Sequence, residues 1–355
     1  MCDLMSGTYT YDALVSNYSN FHAPAVRLYV NDKDAVQELA LSIPSVTISL
    51  SLAEASTAVI HLNNVYDSVK RSLDSRIRDK FKLGTVVEVG IGYSSEIHKV
   101  LKGYVASLRV GFGSNTSLVI TVADVRKLMM ISGDKIVQHN VKKYSDAVQK
   151  VLGEYSKLCT AEIEATDDQL DKPLSQWSND YDFITRELVN AGCYGMEFLV
   201  VGDKAYFRKH RGNEEAICSL ELGKGLKEFN AGRTYADLQV NVFGYCQNAD
   251  VVYASAKIKS EDTVSLMPST PVHTIVSPML DTQDKVNMCA KSYSDRVQTE
   301  EQNGSGVCVG LPVLVPGRYV KVAMLDKMVN KTYYIQRVTH RIDGGGFVTE
   351  FETGG

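Results

Sequence analysis

The chain has 355 residues, 44% of them hydrophobic and 23% charged, which is enough for two or three domains with buried cores. Its formal net charge of -4 argues against a general nucleic-acid-binding protein, because such proteins usually carry a strong positive balance. No apolar run approaches the roughly 20 residues that span a bilayer, and the polar N-terminus lacks the pattern of a signal peptide. We therefore expect a protein that is made in a reducing cytoplasm and stays there.

Short strands are predicted for the first β region, residues 25–130, which follows an N-terminal arm at residues 1–24 that has no clear period. Apolar and polar residues alternate with a period of two in several runs, which indicates half-buried strands. These runs lie at 46–52, 57–62, 87–93 and 118–122. Short strands separated by turn signals predict a barrel or a sandwich.

A helix is predicted to interrupt this β region at residues 64–82. Apolar residues recur there every four positions, at Val65, Val69, Leu73, Ile77 and Phe81, and would form one helical stripe. Six basic and three acidic residues lie between them. The charges are better explained by a subunit contact or a solvated face than by contacts with DNA phosphates, because no aromatic residues are interleaved.

A small α/β module is predicted for residues 131–215. Its elements are a helix capped by Ser145, a strand at 160–166, a helix capped by Asn179 or Asp180 and ended by Gly192, and a hairpin at 196–209 that turns at Gly202-Asp203. Trp177 precedes the second helix, and we expect it in the core.

A second β region is predicted for residues 216–256 and 305–355, with an inserted subdomain at 257–304. Alternation marks strands at 238–242, 251–256, 320–324, 333–342 and 347–353. The insertion is punctuated by prolines, and a helix is predicted after Asp281. The fold class is thus mainly β with an α/β insert.

The seven cysteines, at positions 2, 159, 193, 218, 246, 289 and 308, contain no CxxC pair. Tight spacing or an even count would favour a zinc site or a disulfide framework. We therefore expect reduced thiols that pack as small core residues.

The sequence lacks the common nucleotide-binding, metal-binding and nucleophile motifs. There is no Walker loop, HExxH or GxSxG motif, and no two of the seven histidines lie within five residues of each other. Two acidic groups, Asp167-Asp168 with Asp171 and Glu214-Glu215, resemble carboxylate pairs for sugar cleavage, but solvated loops explain them better. We predict no catalytic, cofactor-binding or metal-binding residue and no enzymatic activity.

Several stretches resemble contractile-tail baseplate hub proteins. Residues 81–89 (FKLGTVVEV), 101–105 (LKGYV) and 119–124 (VITVAD) resemble their first barrel. Residues 177–198 look like their middle module, and 316–320 (PGRYV), 333–335 and 351–352 are similar to their second barrel. The family includes the phage late control protein D family, the hub part of the type VI valine-glycine repeat protein G, and the hubs of phage-like bacteriocins.

The resemblance implies two tube-like barrels in each chain. Three chains would then form a ring of six barrels, which adapts a six-fold inner tube to a three-fold spike. The implied partners are two further copies, the inner tail tube or a tube-initiator protein, a separate trimeric spike, other baseplate proteins, and a tape-measure protein in the lumen. No membrane contact is implied in the resting state. The protein would assemble in the bacterial cytoplasm and become part of a virion or tail-like particle.

Two other functions remain open. A tube initiator or distal tail protein would carry one barrel instead of two. A tail-associated cell-wall hydrolase would need a carboxylate pair in a cleft, for which Asp168 and Glu214 are the candidates.

Overall fold

The computed structural model describes residues 4, 7–113, 116–167, 169–233, 235, 237–245, 251–259, 264, 266, 268–277 and 279–354. Strands make up 48% of the chain and helices 20%, which confirms a mainly β fold with an α/β insert. Asp168, the turn residues Ser114 and Asn115, and Cys2 and Cys246 lie outside the described residues.

The N-terminal arm contains α1 (Tyr11–Asn17) and a 3-10 turn (Ser19–Phe21). The elements of the first β region are β1 (Pro24–Val30), β2 (Lys33–Asp34), α2 (Ala35–Leu39), β3 (Ser42–Ser51), β4 (Thr57–Asn63), β5 (Tyr66–Asp67), β6 (Ser72–Leu73), α3 (Ser75–Lys80), β7 (Val86–Tyr93), β8 (Glu96–Gly111) and β9 (Ser117–Ala123). Seven of these strands form a sheet in the order β2-β1-β7-β8-β9-β4-β3. Ile60 on β4 pairs with Ile120 on β9, and both side chains are fully buried. The four predicted strands are confirmed, because alternate residues face the core as the period of two requires.

The prediction of one helix over residues 64–82 is wrong. The segment contains the short hairpin β5–β6 and the six-residue helix α3. The Asp67 Oδ1 accepts hydrogen bonds from the backbone N–H groups of Val69 and Lys70, each at 3.0 Å, and turns the chain there. Asp74 caps α3 by accepting from the Arg76 N–H at 2.9 Å. Aspartate side chains compete with helical hydrogen bonds in this way, and Val69 is 91% exposed.

The N-terminal arm packs against both β regions. Leu14 and Tyr18 are buried, and the Tyr18 hydroxyl lies 3.1 Å from the His98 Nε2 on β8. The Tyr9 N–H donates to the Ile217 carbonyl at 2.7 Å. The arm therefore fastens the first β region to the chain beyond residue 215.

The α/β module has a core of its own. Its elements are α4 (Val125–Met130), β10 (Val137–His139), α5 (Tyr144–Gly153), β11 (Thr160–Ile163), β12 (Leu174–Gln176), α6 (Asp180–Asp182), a π turn (Phe183–Glu187), α7 (Leu188–Ala191), β13 (Met196–Val201) and β14 (Lys204–Lys209). The hairpin β13–β14 has the predicted turn, since Val201 pairs with Lys204. Strand β11 lies parallel to β14 on its other side.

Two of the three predicted helix signals in this module are confirmed. Asn179 caps α6 by accepting from the Asp182 N–H, and Gly192 ends α7 with a φ of 142°. Ser145 is not the cap of α5, because Lys143 holds that position without a side-chain bond. Instead, Ser145 exchanges hydrogen bonds with Thr166, which ties α5 to the segment after β11.

The second β region contains a closed barrel. Its elements in chain order, with the insertion between them, are β15 (Ala216–Leu222), β16 (Gly225–Arg233), β17 (Asp237–Tyr245), β18 (Val251–Lys259), β19 (Val272–Val276), α8 (Gln283–Glu301), β20 (Gln302–Val309), β21 (Tyr319–Ala323), β22 (Lys331–Asp343) and β23 (Gly346–Gly354). Strands β22, β21, β15, β16, β20 and β23 follow one another, and β23 pairs back to β22.

The inserted subdomain is larger than predicted. Strands β17, β18 and β19 form a separate three-stranded sheet, and α8 packs on it through a core that includes Val242 and Val286. Placing residues 237–256 in the barrel was therefore wrong, although the strands themselves are confirmed. Alternation identifies a strand but does not identify its pairing partner.

The two β regions share one sheet. Strand β3 pairs with β22, with Ile48 opposite His340, so that thirteen strands are continuous. Their apolar side chains form one core. Within the described ranges, hydrogen bonding closes a ring only in the second region, and the first region's end strands β2 and β3 do not pair with each other.

The five cysteines among the described residues are reduced and buried, as predicted. Burial raises the pKa of Cys159 to about 11 and that of Cys218 to about 12. These thiols serve as packing groups.

Candidate functional site

A buried ionic cluster joins the α/β module to the second barrel. Glu197 on β13 lies opposite Arg208 on β14, and each side chain is only 11% exposed. The Arg208 Nε donates to the Glu197 Oε1 at 2.8 Å, and its Nη2 donates to the Gly317 carbonyl at 2.8 Å. The hydroxyl of Tyr334, on β22, donates to the Glu197 Oε2 at 2.9 Å. Two of these three charge-assisted bonds, those with Gly317 and Tyr334, fix the hairpin to the barrel, and charge-assisted bonds are stronger than neutral ones.

Two further residues of the loop after β14 complete this cluster. The His210 Nδ1 lies 2.9 Å from the Glu197 Oε2, and the imidazole meets the Tyr334 ring edge-on with centroids 5.8 Å apart. The Arg211 guanidinium lies 5.2 Å from the centroid of the same ring, a favourable cation–π distance. Tyr334 is therefore held both by its hydroxyl and by its ring.

The cluster keeps Glu197 ionised. Burial alone would raise the pKa of Glu197, but its hydrogen bonds to His210 and Arg208 and their charges outweigh burial and lower this pKa. Burial, together with the charge of Glu197, raises the pKa of Tyr334 well above its ordinary value. Tyr334 therefore stays a hydrogen-bond donor, and the arrangement is that of a structural anchor.

A second buried ion pair fastens the start of the module to the first β region. Asp124 and Arg126 are fully buried, and the Arg126 Nη2 donates to the Asp124 Oδ2 at 2.7 Å. The Arg126 Nη1 donates to the carbonyls of Ser51 and Leu52, and Nη2 also donates to the Ser56 hydroxyl. Because every guanidinium nitrogen has a partner, the desolvated charge is compensated.

A third network organises the interior of the module around Asp180. Its carboxylate accepts from Lys135 at 2.7 Å, Tyr155 at 2.5 Å and Gln176 at 2.9 Å. Burial would raise the pKa of Asp180, but these hydrogen bonds lower it. Gln176 continues the network to His139 at 2.8 Å. Such a connected network rigidifies its surroundings.

The acidic groups singled out from the sequence lie on loops. Asp167, Asp171, Glu214 and Glu215 are all exposed, as expected for solvated loops, and Asp168 lies outside the described residues. Across the described part of the chain, no group of three or more His, Cys, Asp and Glu side chains is arranged to hold a metal ion. None of the helices described is long and apolar enough to cross a membrane.

Trp177 is not a core residue, contrary to the prediction, since it is 65% exposed. Gln176 ends β12 with its side chain buried in the Asp180 network. Successive residues of an extended chain point in opposite directions, so Trp177 faces water.

Sequence reasoning missed the Glu197 cluster, although a signal was present. Glu197 is the only charged residue in the strand MEFLVV, and the predicted turn at Gly202-Asp203 sets Arg208 opposite it. A charged residue in an apolar strand with an opposite charge across the hairpin indicates a buried pair.

The fold defined by these elements is that of tail proteins. It matches a tail protein of Neisseria meningitidis MC58 with a TM-score of 0.71 and 12% identity over 94% of this chain and 97% of that chain. It matches the 43 kDa tail protein of prophage MuSo2 from Shewanella oneidensis with a TM-score of 0.69 and 13% identity over 93% and 98%. At these identities, the similarity establishes the fold and not the function.

A third similar structure is an E. coli component of the type VI secretion system, itself described as similar to two bacteriophage T4 tail proteins. The TM-score is 0.60 at 11% identity over 92% of this chain and 76% of that chain. No curated protein matches the sequence significantly. Residues 24–344 match the model of the Alg8 N-terminal domain, and the chain therefore belongs to the Alg8 N-terminal domain family.

Proposed function

We propose that the chain is a structural baseplate-hub subunit of a contractile phage tail or tail-like injection particle. Three copies would form a ring that adapts the six-fold inner tube to a three-fold spike. The observation that supports this most is the pairing of β3 with β22, which joins two β regions edge to edge within one chain. Three such chains would present six β units around a closed ring.

The proposed work of this subunit is mechanical and not enzymatic. A hub transmits force between tube and spike, so its parts must not move independently. The Glu197 and Arg126 clusters support such a role, because each crosses from the α/β module to a β region through buried hydrogen bonds made by a charged side chain. The proposed partners are the tube or tube-initiator protein, a separate spike, other baseplate proteins and a tape-measure protein in the lumen.

The subunit would assemble in the bacterial cytoplasm and become part of the baseplate of the finished particle. Its functional surfaces would then be large protein–protein interfaces and not a ligand pocket. The loops that carry Asp171 and Glu214 fit this proposal better than a hydrolase, because their exposed carboxylates do not form a buried acid–base pair.

The native mass of the purified chain tests this proposal. By light scattering coupled to size exclusion, we expect a trimer of three times 39.1 kDa for the chain alone, or three copies of the chain in its complex with tube and spike proteins. A chain that stays monomeric in the presence of both partners contradicts the proposal.

A second candidate is a tube-initiator or distal tail protein. It is favoured by the fact that, within the described ranges, hydrogen bonding closes one barrel only. A native mass of six copies, with no binding to a spike, would support this alternative over the hub.

A further inference from the structure

Two adjoining clefts form one groove on the outer face of the second barrel. The first, of about 280 Å³, lies where β3, the loop after β14, α8 and the barrel meet, and is lined by His210, Arg296, Tyr334, Arg337 and Glu352, among others. The second, of about 170 Å³, shares Arg337 and Glu352 with it and continues past Thr339 and Glu350. The groove follows β22 from Tyr334 to Thr339, which is about 17 Å at 3.3 Å per residue.

The first cleft has a cationic end. Arg296 is exposed and stacks on the ring of Tyr293 at 4.9 Å, and no carboxylate among the described side chains pairs with it. His210 is bound to Glu197 through Nδ1, and no described residue bonds its Nε2. Arg337 lies between Glu54 at 3.0 Å and Glu352 at 3.6 Å, so its charge is shared by two carboxylates. Among the side chains that the structure describes, Arg296 is thus the cation of this end that no carboxylate neutralises.

The second cleft has an acidic end. Among the described residues, the one cation paired with Glu350 is distant, the Arg341 Nη2 at 3.8 Å, and Glu352 pairs with Arg337 at 3.6 Å. Ser305 and Gly306, which pair with Glu352 and Phe351 of the neighbouring strand, also line this cleft. The lining of the groove combines these charged side chains with apolar ones, including Leu52, Val307 and Phe351.

We propose that this groove binds an extended segment of another protein of the particle, with an acidic side chain at Arg296 and a basic side chain toward Glu350. The inference rests on the proposed function, since it names one of the contacts through which the chain would assemble. An extended segment of about five residues fits the length of the groove. The opposite charges of its two ends fix the direction in which the segment lies, because complementary charges select register and orientation.

Charge reversal tests the cationic end. The chain is expressed together with its tail partners, and its copy number in purified particles is measured for the natural sequence and for Arg296→Glu. We expect about a tenfold loss of incorporation, which corresponds to about 1.4 kcal/mol of binding free energy. The matched control is Arg186→Glu, because Arg186 is 76% exposed and pairs with Asp182, four residues before it. Equal thermal unfolding of the two variants establishes that both fold.

Cross-linking tests the occupant. A photo-reactive phenylalanine replaces Thr339, the particles are irradiated, and the joined peptide is identified by mass spectrometry. We expect a peptide of another particle protein that carries an Asp or Glu within about five residues of a Lys or Arg. A cross-link to a second copy of this chain, a peptide without such charges, or no cross-link in intact particles overturns the inference.

The two proposals fail in different ways. If the natural chain is present in the particle and Arg296→Glu is incorporated equally well, the groove inference is wrong and the hub proposal stands. If the natural chain is absent from the particle, the proposed function itself is wrong, and the groove inference fails with it.

Discussion

Glu197 and Arg208 lie directly opposite each other on the two strands of one hairpin, and both side chains reach the second barrel, where Tyr334 and the Gly317 carbonyl bind them. The pair is therefore more than a cross-strand contact within the module. Its hydrogen bonds extend to Tyr334, 137 positions away in the sequence from Glu197. Loss of the pair would therefore destabilise both the α/β module and its contact with the second barrel.

Replacing Arg208 with leucine is expected to lower the free energy of unfolding by about 3 kcal/mol, because Glu197 would keep a buried charge without its main partner. Urea-induced unfolding, followed by circular dichroism, measures this change. Arg186→Leu is the control, since Arg186 is 76% exposed and a surface pair contributes about 1 kcal/mol or less. Equal unfolding midpoints for the two variants would contradict a structural role for the cluster.

The same cluster predicts a dependence on acid. The folded state lowers the pKa of Glu197 below its ordinary 4.5. The stability that this carboxylate contributes is therefore complete above about pH 4.5 and is lost as the pH falls through the lower folded-state pKa. Glu197→Gln should be less stable than the natural chain at pH 7, and its stability should fall less steeply below pH 4.5. Urea unfolding at each pH from 6 to 3 measures this. If the free energy of unfolding of both proteins falls equally steeply with pH, Glu197 does not cause the acid dependence.

The hairpin that carries this pair is also where sequence reasoning was most successful. The turn at Gly202-Asp203 and the two apolar runs predict the strands and, through the turn, their register. Local sequence determines such a hairpin, because a two-residue turn of glycine and aspartate allows few turn types and therefore few strand registers. The strands at Val46 and Val87 were predictable for a similar reason, since one face of each packs on the core.

The failures have a different physical origin. The period of four at residues 65–81 suggested a helix, but two aspartates, Asp67 and Asp74, form local hydrogen bonds that break the segment into a hairpin and a short helix. The sheet that contains β17 and β18 was not predictable, because the alternation of Val240 and Val242 fits any sheet with one buried face. A local sequence pattern does not show which distant strand an element pairs with.

The exposure of Trp177 can be measured directly, because it is the only tryptophan of the chain. At 65% exposure, its fluorescence should be quenched efficiently by acrylamide in the folded protein. Trp177→Ser should change the free energy of unfolding by no more than about 0.5 kcal/mol, as is usual for surface positions. Weak quenching in the isolated chain, or a large loss of stability, would restore the interpretation of Trp177 as a core residue.

His340 predicts a second, distinct dependence on pH. It lies inside the second barrel with its Nδ1 3.0 Å from the Thr349 hydroxyl, and it is 1% exposed. Burial lowers its pKa from 6.5 to about 3, so the folded state holds the neutral imidazole while the unfolded chain binds a proton below pH 6.5. The unfolded state therefore gains protons first, and stability falls as the pH drops from 6.5 toward 3, by about 1.4 kcal/mol per pH unit from this residue.

His340→Gln removes this titration and keeps a polar group near Thr349. Its free energy of unfolding should vary less between pH 6.5 and 4.5 than that of the natural chain, a range that lies above the transition expected for Glu197. His22→Gln is the control, because it also removes one imidazole but at an exposed position. If both variants show the natural slope, the barrel interior does not hold His340 neutral, and its burial has no thermodynamic consequence in this range.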